Sequence, residues 1–130
     1  MKLLAFFILF GLSLAANDPI ADLSGEVIEA IKKADAAKIA QFFNEKVSVK
    51  IIEQEDVYSR SQAESILKDF FQSHPVKSFD GRPSNSQKTG NQFVVGNLVT
   101  SNGTYRLSFL IKKYNEKFLI AQFRIENEND

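Results

Sequence analysis

The sequence predicts an α+β domain in which helices come first and an antiparallel sheet follows. Three observations carry this. Apolar residues recur at helical spacing between residues 19 and 43 and again between 63 and 71. Three strand-like runs, FVVGNLVT (93–100), TYRLSFLIK (104–112) and FLIAQFRI (118–125), then follow without a helix between them. The first two are separated by Asn102-Gly103, the strongest short-range hairpin signal. Helices and then strands is the α+β order, and 130 residues suit one domain.

The elements can be taken in order. Residues 1–15, MKLLAFFILFGLSLA, carry Lys2, an apolar run from Leu3 to Leu14 and small residues at Ser13 and Ala15. That is the pattern of a cleaved secretory signal peptide. The run is well short of the ~20 residues that span a bilayer. The expected mature domain is therefore residues 16–130, exported in soluble form to a periplasm or the outside, with no membrane span. Asp18-Pro19 offers a capping aspartate and a proline at the first helical position. Ile20, Leu23, Val27, Ile28 and Ile31 follow as a stripe, which predicts a helix over 19–33. Asp35 caps a second, shorter helix over 36–43, stopped at Asn44.

Val47-Ser48-Val49-Lys50-Ile51 alternates and reads as a strand. Glu53, Glu55 and Asp56 read as a solvated turn, since their spacing fits no EF-hand loop. A third helix follows on Ala63, Ile66, Leu67, Phe70 and Phe71, one apolar face. Ser59 with Gln62, and Ser61 with Glu64, are two overlapping capping boxes at its start. Pro75 ends it, because the residue before a proline avoids helical geometry. Residues 80–92 are polar, rich in Gly, Ser and Asn, and read only weakly as strands.

Composition narrows the chemistry. There is no cysteine, so no disulfide, thiolate metal site or cysteine nucleophile exists. The 16 basic and 16 acidic side chains balance, and the leader removes only Lys2. Such a balance gives no pull toward nucleic acid or anionic lipid. The single histidine, His74, follows the third helix, where an imidazole acts as a C-terminal cap. No G-x-S-x-G elbow and no phosphate-cradling glycine loop appears. No cofactor and no metal is expected. Asn102-Gly103-Thr104 is also a glycosylation sequon, but the turn explains these residues without sugar.

A two-residue turn at Asn102-Gly103 assigns side chains to two faces. The inner face takes Val94, Leu98, Tyr105, Leu107, Phe109 and Ile111, with Gly96 opposite Phe109 to make room for its ring. For the last hairpin, a three-residue loop with a bulge pairs Phe109 with Phe123 and Arg106 with Glu126. The rival register sets Arg106 against Arg124, which like-charge repulsion disfavours. The outer face then mixes Val95, Val99, Leu110, Phe118 and Ile120 with Asn97, Arg106, Ser108, Gln122 and Arg124. That is more apolar than a face meeting only water.

The stretches VYSRSQAESILKDFF, SNGTYRLSFLIKK and KFLIAQFRIE, in this element order, resemble the nuclear transport factor 2-like (SnoaL-like) superfamily, a cystatin-like cone. Within it the chain resembles a bacterial family of small secreted proteins of unknown function. The resemblance implies N-terminal helices packed in the concave face of a strongly curved, mainly antiparallel sheet. It also implies a conical cavity between sheet and helices as a common feature, and homodimers through the outer sheet face.

Two sets of candidate residues follow. Tyr58, Tyr105, Phe109 and Phe123 would line a pocket for a small apolar ligand. Val99, Arg106, Ser108, Leu110, Ile120, Gln122 and Arg124 would form the dimer face. The inner positions of the last three strands carry no Asp, Glu, His or Lys, so no acid/base pair is in place. The expected function is an exported, non-catalytic binding or interaction module. The alternatives are a small isomerase or dehydratase using the cone as pocket, and an accessory subunit of a cell-envelope complex.

Overall fold

The computed structural model describes residues 19–85 and 90–129. The leader and the Asp18 cap lie outside the described residues. Helix α1 (Pro19–Lys32) buries Ser24, Val27, Ala30 and Ile31 along one face. It ends at Ala34, whose φ of 55° is left-handed, and Asp35 N–H reaches back to the Ala30 carbonyl at 2.9 Å. That closure satisfies the last carbonyls of the helix.

Helix α2 (Ala36–Ala40) starts at the Asp35 cap, whose carboxylate accepts from Lys38 N–H. It stops earlier than the expected 43. Phe43 is instead the first residue of β1 (Phe43–Ile51), where it is fully buried.

The largest departure from expectation is β2 (Gln54–Ser59). Glu55 and Asp56 lie in this strand, not in a turn. The turn is only Ile52-Glu53, with Ile52 at φ 59°. Helix α3 (Arg60–Ser73) follows directly. Of the two possible capping boxes the structure uses Ser59–Gln62: Ser59 accepts from Gln62 N–H, and the Gln62 side chain accepts from Ser59 N–H. His74 caps the other end, its N–H donating to the Phe70 carbonyl at 2.8 Å.

Strands β3 (Val76–Phe79), β4 (Arg82–Asn85), β5 (Gln92–Thr100), β6 (Gly103–Tyr114) and β7 (Lys117–Asn127) complete one sheet. Its order is β2-β1-β7-β6-β5-β3, with β4 also pairing β5. All pairs are antiparallel except β1 with β7. The helices pack on the concave face of this curved sheet.

Two details of register correct the sequence reading. The β5–β6 turn is Ser101-Asn102, so Gly96 faces Leu107, not Phe109. The shift is two residues, an even number, so the faces survive. Gly96 is there for another reason: a Cβ would stand 2.7 Å from both the Cα and the N of Gly81. The β6–β7 turn has two residues, Asn115 and Glu116, both at positive φ (46° and 76°), the type I′ signature. The expected bulge sits inside β7 instead. Leu110 faces Gln122 and Ile111 faces Ile120, which leaves Ala121 as the extra residue. Phe109 opposite Phe123 and Arg106 opposite Glu126 stand as expected.

Candidate functional site: the outer face of the sheet

The concave side is filled. Phe109 and Phe123 stack with centroids 6.2 Å apart, and Phe43 meets Phe123 edge-on at 5.7 Å. All three are at most 1% exposed. Thus Phe109 and Phe123 are core rings packed on one another. Tyr105 is half-buried and meets the rings of Phe70 and His74 edge-on, at 5.6 and 5.5 Å. His74 itself stacks on Phe70 at 4.1 Å, with Nδ1 3.0 Å from the Phe70 carbonyl oxygen. Tyr58 is also half-buried against the core but stands on β2, separated from Tyr105 on β6 by β1 and β7. The four expected pocket residues are therefore not gathered around one space.

Among the described residues the buried polar groups on the concave side are Ser24, Gln92 and Thr100. None ionises near neutral pH. Ser24 Oγ donates to Gln92 Oε1 and ties α1 to β5. Nothing in the sequence marks this pair, since Gln92 sits in the polar stretch that reads only weakly as strand. A surface groove of about 610 Å³ lies outside the cone, along α1 and α2, lined by Ala21, Gly25, Glu26, Glu29 and Lys33 among others.

The outer face is more organised. Two rows of side chains cross six strands without a break. One runs Val57–Ser48–Gln122–Leu110–Phe93–Ser84, from β2 through β1, β7, β6 and β5 to β4. The other runs Glu55–Lys50–Arg124–Ser108–Val95–Arg82 along the same strands. Among the described residues, the exposed large apolar side chains, Val57 at 59% and Phe93 at 38%, both belong to the first row.

Beside the second row, Glu126 gathers cations from three strands. Lys50 Nζ lies 2.9 Å from its Oε2, Arg124 Nη2 3.0 Å, and Arg106 Nη2 3.5 Å from its Oε1. Arg124 Nη1 also binds Glu55 at 2.8 Å. Hydrogen bonds from Arg124, and then from Lys50, hold the Glu126 carboxyl down at about 2 against the opposing effect of burial. The bond to Glu126 likewise raises Arg124, aided by the charges of Glu126 and Glu55. Charge-assisted bonds of this kind fix side-chain geometry as well as adding energy.

Most of the expected dimer-face residues meet here. Arg106, Leu110, Gln122 and Arg124 are half-buried on the outer face, and Ser108 is buried between its taller neighbours. Val99 lies toward the far end of β5, opposite Thr104. Ile120 is a correction. The bulge at Ala121 reverses the alternation, so Ile120 turns inward and is 0% exposed in the core. Phe118 also packs toward the core, under Lys113. Glu55, Lys50 and Val57 were missed as outer-face residues, because they belong to β1 and β2, whose pairing with β7 cannot be read from local pattern.

Comparison with known proteins agrees with this architecture. The family model described as "Domain of unknown function (DUF4783)" matches residues 24–126. The crystal structure of a protein of that family from Bacteroides uniformis is 27% identical, with a TM-score of 0.75 over 82% of this chain and 97% of that one. One from Bacteroides fragilis is 30% identical, with a TM-score of 0.70 over 78% and 95%. A designed protein of the nuclear transport factor 2 type shares the fold alone, at 17% identity and a TM-score of 0.62 over 81% and 94%. No curated protein matches the chain.

Proposed function

We propose, for a chain that belongs to the family described as Domain of unknown function (DUF4783), that it is an exported, non-catalytic interaction module. It works as a homodimer through the outer face of its sheet. The observation that carries this reading is the pair of six-strand rows, with Val57 and Phe93 exposed in one and an ordered ion network beside the other. Leu110 and Phe93 stand side by side in the first row, an apolar pair that a partner would cover. The filled concave side supports the non-catalytic part: Phe70, Phe109 and Phe123 occupy it, and its buried polar groups are neutral. Export rests on the leader pattern of residues 1–15.

The test is the oligomeric state of outer-face variants by light scattering. Leu110→Asp and Phe93→Asp each place a charge in the first row without touching the core. Both should remain folded by circular dichroism and become monomeric. Folded variants that stay dimeric would move the interface elsewhere.

A further inference from the structure

An open sheet has two margins, and each presents backbone groups that can pair with another chain. Here one margin is formed by β3 and β4, both paired to β5. Each is four residues long, β3 carries Lys77 and β4 carries Pro83. Short length, lysine and proline all discourage strand addition. The other margin is β2, six residues long with neither lysine nor proline. Gln54 to Val57 are exposed, and Val57 and Tyr58 are strong strand formers.

The register shows which amides β2 turns outward. The two-residue turn Ile52-Glu53 joins β1 to β2, so Ile51 and Gln54 are a hydrogen-bonded pair across it. Ile52 N–H points the other way, to the Ile125 carbonyl of β7 at 2.6 Å, as alternation requires. Val49 with Asp56 and Val47 with Tyr58 are then the next bonded pairs. Glu55, Val57 and Ser59 therefore aim their N–H and C=O groups away from β1.

Two of these three amides are taken by the chain's own side chains. Val57 N–H donates to Asp56 Oδ1 at 2.7 Å, and Ser59 N–H donates to Gln62 Oε1 at 3.0 Å. Asp56 makes no ion pair among the described residues, so its carboxylate is committed to this amide. The remaining outward amide, that of Glu55, stands beside the turn and cannot support a ladder alone.

We infer that Asp56, with Gln62, closes the β2 margin to strand addition by a second copy of the chain. Two open β2 margins would pair antiparallel about Val57, with the Val57 amides as the central donors and Glu55 opposite Ser59 of the second copy. The Asp56 carboxylate removes that centre, and Gln62 removes the donor next to it. The margin with β3 and β4 is guarded by composition, and the β2 margin by hydrogen bonds.

The test compares full mature wild type with Asp56→Ala, which loses both acceptor and charge, and Asp56→Asn, which loses the charge and keeps the acceptor. Amide exchange is read in dilute solution and association by sedimentation velocity over a concentration series. In the wild type the Val57 amide should exchange more slowly than that of Glu55, after correction for their intrinsic rates. In Asp56→Ala it should exchange about two- to tenfold faster. That variant should also form species larger than the wild type, growing with concentration, while Asp56→Asn matches the wild type in both measurements. Sizes are read against the wild type, so the result does not depend on whether the wild type is itself a dimer. An Asp56→Ala chain that keeps the wild-type size would overturn the inference. So would an Asp56→Asn chain that associates as readily as Asp56→Ala, since charge and not the bond would then guard the margin. A wild-type Val57 amide no slower than that of Glu55 would overturn it without recourse to any variant.

Discussion

Lys50 on β1 and Glu126 on β7 lie 76 residues apart in sequence and meet at 2.9 Å, with side chains only 22% and 11% exposed. This pair spans the sheet's one parallel junction, β1 with β7, and Arg124 closes it from the other side at 3.0 Å. The junction binds the N-terminal strands to the C-terminal meander. Its chemistry sets the first prediction.

Stability should fall in acid through Glu126. Its carboxyl titrates at about 2 in the fold, against an ordinary 4.5. The folded state therefore holds the ionised form more strongly than the unfolded chain does. That contribution is complete above the unfolded value and disappears as pH falls through the folded one. Between about pH 7 and about pH 3 the wild type should lose about 1–2 kcal/mol more than Glu126→Gln in urea unfolding, the lower end allowing for solvent screening. Equal losses in the two proteins would show that the cations contribute nothing through this carboxylate.

Phe123 is the centre of the filled cone, touching Phe43 edge-on and stacked with Phe109. Replacing it with alanine removes a fully buried ring and leaves a void between the other two. The expected cost is about 3–5 kcal/mol in chemical denaturation. A cost under about 1 kcal/mol would mean that the rings line an open space.

The cap of α3 makes a paired prediction. Ser59→Ala removes the oxygen that accepts from Gln62 N–H and should cost about 1 kcal/mol. Ser61→Ala removes no cap and should be close to neutral, although Ser61 also heads a capping pattern in the sequence. Equal effects would mean the helix uses both.

Two glycines should respond in opposite directions to alanine. Gly25 lies inside α1, and a methyl group there would have nothing within 4 Å, so Gly25→Ala should stabilise by about 1 kcal/mol. At Gly96 the new Cβ would meet Gly81 Cα and N at 2.7 Å and the Asp80 carbonyl carbon at 2.8 Å, all backbone. Gly96→Ala should destabilise by about 1–3 kcal/mol as the 80–81 segment is pushed away. Melting temperatures of the two variants moving the same way would contradict this.

Much of the fold was legible because local rules held. The α3 cap, the helical stripes and the two faces of β5 and β6 each follow from short-range pattern. The faces tolerated the misplaced β5–β6 turn because the error was two residues, and alternation has a period of two. What failed lacked a local signal. Strand β2 is an edge strand of sequence QEDVYS with four exposed residues, and its turn uses Ile52 where glycine is expected. The Ala121 bulge carries no glycine either, yet it decides that Ile120 is core and not surface. The outer-face site was half visible for the same reason. Arg106, Arg124 and Glu126 share one hairpin, while Lys50 and Glu55 join them only through the parallel β1–β7 pairing.

Everything proposed for the outer face depends on its joining two copies. Sedimentation equilibrium of the mature wild-type chain tests this most directly, run across a concentration series at near-neutral pH. The predicted result is a single species at twice the chain mass. A monomer at every concentration would contradict it.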